Sequence, residues 1–285
     1  MKRSWVVVGF VVIALSACSR VHTIRENDTL ILKSSRATLK VVGVSDELVP
    51  WYEEAFRRLS ALENKPFSGE MTVKGDLYED FFQMGNILLG NWKNLLLRWA
   101  WVAREWEIMR RDAARSHASW AVPLKGEMIS FCRVRDFENF FQKYQLDFKS
   151  LEEARRYLIQ FLSVEVYFVS LQELMERHFR YYTMKDLPTV FFQVVVLPES
   201  VEWLIFLQKH YGKGKVRKLA REPYNKDEWA KELGRPISDI ESDFVHSMEG
   251  LRFEKGVWKN LDFVHEYQQL LSLYNTSTKS TLFKK

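Results

Sequence analysis

Apolar positions along this chain recur with two different periods, and the change between them divides it. Thr29–Lys33 and Ala37–Val44 are apolar and β-branched, split by Ser34-Ser35-Arg36, which predicts a β-hairpin. Val49, Tyr52, Phe56 and Leu59 follow at helical spacing, so Asp46–Leu62 is predicted helical. Pro50 fits its first turn, where a missing N–H costs little. Phe67-Ser68-Gly69 reads as a loop and Met71–Val73 as a further strand. From about Tyr78 the period is helical, with Gly85, Gly90 and Asn91 expected to end the first helix. Trp92, Trp99 and Trp106 recur every seven residues in a helix predicted over 92–114, which sets three indoles on one face. Ser116–Gly126 reads as a connection and Glu127–Arg133 as a strand. Ser150-Leu151-Glu152-Glu153 fits a capping box, opening a helical pattern that continues to about Tyr182. Short helices are expected beyond Leu197-Pro198-Glu199-Ser200, ending at Gly212 and Gly214, then over Val216–Ala220, then after caps at Asn225 and Ser238.

The pattern predicts an α+β chain, mostly α-helical. A small β-rich portion over 29–75 precedes a mainly helical domain over 76–274, and 275–285 is a polar, frayed end. An apolar content of 47% with ten Trp is enough for a sizeable core and excludes a disordered chain.

The first residues change the picture most. Lys2 and Arg3 precede an apolar stretch from Trp5 to Leu15, too short for a comfortable span, which reads as an export signal. Leu15-Ser16-Ala17-Cys18 resembles a bacterial lipobox. By that resemblance 1–17 is a lipoprotein signal peptide, Cys18 carries the lipid (palmitate among its acyl groups) and 18–28 is a tether. The membrane is then a partner, and the location is the cell envelope, facing periplasm or exterior. Ser19 after the Cys favours the outer membrane by analogy with enteric bacteria. Removing Lys2 and Arg3 lowers the net charge from +5 to +3. A balance so near neutral, with export, argues against a nucleic-acid partner. Once Cys18 is acylated only Cys132 remains, so no intramolecular disulfide and no thiolate zinc site can form. Cys132 lies in an apolar run and reads as a buried thiol.

Candidate chemistry is sparse. The six His, at 22, 117, 178, 210, 246 and 265, include no pair at the i, i+4 spacing that sets two imidazoles around zinc. Lys213-Gly214-Lys215 with Arg217 and Lys218 lacks phosphate-loop spacing and reads as a solvated turn. One order of features carries more. Leu171-Gln172-Glu173-Leu174-Met175-Glu176 is followed by Asp186-Leu187-Pro188, Phe191-Phe192-Gln193-Val194, Val201–Tyr211-Gly212 and Leu233-Gly234 running to Glu241. From 165 to 250 this resembles the core of thermolysin-like metallopeptidases, the gluzincins and peptidase-MA-like families. In the resemblance Gln172 and Glu176 stand where the two zinc-binding His would be, and Gln193 where the Glu ligand would be. Only Glu173, in the general-base position, is kept. Two amides and one carboxylate hold zinc poorly, and Glu173 then has no activated water to serve. His178 lies about 200° round the helix from the lost ligand and does not replace it.

The expectation is a non-catalytic protein without cofactor or metal, binding a peptide or envelope partner. Two other readings stay open: a hydrolase built on Glu173, Glu176 and His178 or His210, and a glycan-binding module resting on an exposed Trp92, Trp99 and Trp106 stripe.

Overall fold

Four strands meet first in sequence and in space. The computed structural model describes residues 21–63, 65–126, 155–156, 171, 174–175 and 197–249. Strands β1 (His22–Glu26), β2 (Thr29–Lys33), β3 (Ala37–Val42) and β4 (Phe67–Thr72) form one sheet in that order. β1–β2 and β2–β3 are antiparallel, and β4 joins β3 in parallel. A parallel neighbour needs a crossover. Here it is a single 3-10 turn over Asp46–Leu48 and helix α1 (Val49–Ser60), with Pro50 in its first turn as expected.

Alternation sets the two faces. Leu30, Leu32, Leu39, Val41 and Met71 share one face and are buried, whereas Lys40 and Glu70 stand exposed on the other. The buried face meets α1 and α2 (Leu77–Leu88), the latter capped by Asp76, which accepts from the backbone N–H groups of Tyr78 and Glu79. Trp51, Phe81 and Trp106 meet edge-on and tilted in this core, with centroids 5.0–6.3 Å apart. A Cβ added at Gly69 would lie 2.7–2.8 Å from the Phe67 ring and the Ile87 methyl. Gly69→Ala should therefore cost about 1–3 kcal/mol in a denaturant melt.

The described residues form eight α-helices in all, so the chain is α+β and mostly helical. α3 runs over Leu95–Arg115 and α4 over Ala121–Gly126. Later come α5 (Leu197–Tyr211), α6 (Lys213–Arg221), α7 (Lys226–Leu233) and α8 (Ile237–Glu249). The described residues divide into two compact units, one of 21–91 with 104–126 and the other of 92–103 with 155–156, 171, 174–175 and 197–249. In the second, Asn225 caps α7 as expected, and Gly234 ends it at φ 76°, a left-handed cap that favours glycine.

Several expectations differ from the structure. The segment 18–28 read as a tether contains β1, turned back onto β2 by Asn27-Asp28, with Asn27 at φ 54°. Phe67-Ser68-Gly69, read as a loop, is the start of β4, held by the Phe67 N–H on the Arg36 carbonyl at 2.8 Å. Gly85 does not break α2, where it lies buried against neighbours; the helix ends at Leu88. Trp92 precedes α3 rather than opening it. Ser238 lies inside α8, whose first turn instead donates to the Pro236 carbonyl. α2 and half of α3 share a compact unit with the sheet.

Candidate functional site

Most residues singled out for chemistry lie outside the described residues: Cys18, Cys132, Gln172, Glu173, Glu176, His178 and Gln193. Their neighbours Leu171 and Leu174 are fully buried, and Met175 Sδ accepts from Asn94 Nδ2 at 3.4 Å. Asn94 is itself a junction. Its side chain caps α3 through the Leu97 N–H at 3.0 Å, and its own N–H reaches the Ala220 carbonyl at the end of α6. His210 is exposed in the last turn of α5, its ring 4.4 Å from that of Phe206. The basic run is not a turn: Lys213, Lys215 and Lys218 lie exposed along α6, and Lys218 pairs with Glu232. The indoles at 92 and 106 are buried, at 1% and 2% exposure, and Trp99 is half-buried. Those three side chains therefore offer no continuous face to a glycan.

Among the described residues of the second unit lies a buried ion pair that the pattern did not single out. Arg155 Nε lies 2.6 Å from Glu202 Oε1, with the two side chains 3% and 1% exposed, and Arg156 Nε lies 3.5 Å from the other oxygen. Glu202 sits in the apolar run Val201–Leu207, and a carboxylate there requires a cation beside it. That isolated charge was the available signal. Glu199 and Ser200 are buried one turn earlier, and Pro198 and Glu199 suit the first turn of α5. Next along, Trp203 stacks on Phe244 of α8 at 3.7 Å and 15°. Both oxygens of Glu202 face guanidinium groups, so the carboxylate is engaged rather than presented to a substrate. An open cavity of about 420 Å³ lies at the α7–α8 turn, lined by Lys226, Asp227, Ala230, Arg235, Pro236 and Ser238. It holds neither a His nor a Cys.

In the first unit, Asp80 is fully buried, accepting from Tyr52 Oη at 2.8 Å and from the Lys74 N–H at 2.9 Å. Burial pushes its carboxyl above the ordinary value of 3.8 despite both donors. Glu54 is opposite in sign. Burial alone would raise it, but the bonds from Arg57 and Arg58 at 2.6–2.7 Å outweigh that and hold it below 4.5. The two groups act on stability in opposite directions. The Asp80 contribution is complete below the ordinary aspartate value and is lost as pH rises through the raised native one. The Glu54 contribution is present above its ordinary value and is lost as pH falls through the depressed one. Asp80→Asn should therefore remove the part of the decline in Tm that begins above about pH 4 and leave the acid-side fall intact. A melt series across that range checks it.

Among the described residues no group of three or more His, Cys, Asp or Glu is placed to hold a metal ion, and no helix is long and apolar enough to cross a membrane. No protein-family model, curated protein or solved structure matches the chain.

Proposed function

We propose that this chain is a lipid-anchored protein of the bacterial cell envelope. Its 165–250 region is a degenerate, non-catalytic relative of thermolysin-like metallopeptidases, and its role is to bind or scaffold a peptide or envelope partner. The observation that carries the reading is Leu15-Ser16-Ala17-Cys18 behind a short apolar export segment, with strand β1 beginning four residues after Cys18. Gln172, Glu176 and Gln193 in place of metal ligands support a binding role over catalysis. The succession of α5 ending at Tyr211, the turn at Gly212, α7 ending at Gly234 and α8 running through Glu241 supports the kinship.

Cys18→Ala is the direct test. The variant should lose all palmitate incorporation and leave the membrane fraction, while the unchanged chain is labelled and sediments with membranes. Equal labelling of both would overturn the anchor.

A further inference from the structure

We propose that one end of the sheet, carrying Lys33, Arg36 and Lys65, is a docking surface for anionic phospholipid headgroups and fixes the orientation of the anchored body. The proposal rests on the reading of Cys18 as the lipid anchor. It adds which surface faces the bilayer and what holds it there.

The register places the charges. His22 opens β1 opposite Lys33, the last residue of β2. Ser34-Ser35-Arg36 turns the chain into β3, and the Arg36 carbonyl accepts from Phe67, the first residue of the parallel β4. Lys65 precedes Phe67 by two residues. His22, Lys33, Arg36 and Lys65 therefore share one end of the sheet, and all four are exposed. The three cations have no carboxylate within 4.0 Å among the described residues. The acid nearest in sequence, Glu63, is buried and accepts from the Lys65 N–H at 3.0 Å. Arg57 and Arg58, in the last turn of α1, reach the same end but are bound to Glu54.

The other end has the opposite sign. Glu26 and Asp28 stand at the β1–β2 turn, Asp46 and Glu47 follow β3, and Asp76 follows β4. Its cations are engaged: Arg25 lies 3.5 Å from Asp46 and donates to the Val44 carbonyl, and Lys74 lies 3.8 Å from Glu79. Strands of five or six residues separate the ends by roughly 17 Å. That is about twice the screening length at physiological salt, so each end presents its own field.

The point of chain entry decides which end meets the membrane. Four residues, Cys18 to His22, span at most about 14 Å even when fully extended. An acyl group on Cys18 thus holds the start of β1, and with it the basic end, within reach of the headgroups. Arg20 adds a cation to the connection. Each Lys or Arg near an anionic surface favours binding about five-fold, so three unpaired cations amount to roughly a hundred-fold preference for this orientation.

The test uses the full-length acylated protein in vesicles containing a headgroup-labelled acceptor lipid. A fluorophore is attached at Ser35→Cys in one preparation and at Ser45→Cys in the other, both in a Cys132→Ser background. With phosphatidylglycerol in the vesicles, energy transfer from position 35 should exceed that from position 45. The difference should shrink in phosphatidylcholine alone, in high salt, and in Lys33→Gln/Arg36→Gln/Lys65→Gln. Palmitate-labelled protein with equal transfer from both positions, or with a difference indifferent to lipid charge, overturns the docking surface and leaves the anchor standing. Protein that takes up no palmitate overturns the anchor, and the docking proposal with it.

Discussion

Glu202→Ala should destabilise the protein by roughly 3–5 kcal/mol, the range found when one partner of a buried ion pair is removed. For a chain of this size that is a fall of about 10 °C in Tm. The loss does not measure the attraction between the two groups. It includes the cost of taking the Glu202 carboxylate, 2.6 Å away, from a guanidinium only 3% exposed. Arg156 is 35% exposed and can turn to water, so it adds little. The double variant Arg155→Met/Glu202→Leu separates the two effects. Removing both charges and filling the space with apolar groups should recover most of the loss. Equal losses in the single and double variants would mean instead that the pair itself holds α5. Denaturant melts of the three proteins decide between these outcomes, and a loss below about 1 kcal/mol in Glu202→Ala would refute the burial of the pair.

The sheet and the C-terminal helices were legible for a local reason. The apolar, β-branched runs at 29–33 and 37–42 and the Asn225 cap at α7 are properties of a few adjacent residues, and neighbours in sequence decide them. β1 was not legible, because all five of its residues are exposed and its composition is that of a polar tether. Only pairing with β2 makes it a strand. β4 was displaced for a similar reason. Gly69 reads as a loop residue until its closeness to Phe67 and Ile87 shows that the missing Cβ lets α2 approach the strand. Gly85 reads as a breaker, yet packing sustains the helix through it. The Arg155–Glu202 pair joins residues 47 apart in sequence, so no window of periodicity contains both. Charge at the sheet's ends was hidden in the same way. Lys33, Arg36 and Lys65 become neighbours only when the parallel register of β3 with β4 brings 36 beside 67.

Trp106→Ala should have an effect of comparable size in the first unit. The indole is 2% exposed, with Phe81 at 5.0 Å, Tyr78 at 5.5 Å and Trp51 at 6.2 Å, ring centroid to centroid. Truncation removes the buried surface and leaves a cavity that flanking aromatic rings cannot fill, at a loss of about 3–5 kcal/mol. Trp106→Phe keeps one ring among the three partners and should lose less than half as much. Trp99 is half-buried, so Trp99→Ala should cost distinctly less than Trp106→Ala despite the identical change in side chain. This ordering distinguishes a core indole from a glycan platform. A stacking platform would tolerate all three substitutions in a thermal melt and lose glycan binding, because exposed rings contribute little to folding. A core helix loses folding stability in proportion to burial. Thermal melts of the three variants, with emission read before and after adding peptidoglycan fragments, give both quantities from the same samples. Full stability in Trp106→Ala together with a glycan-dependent change in emission would restore the platform.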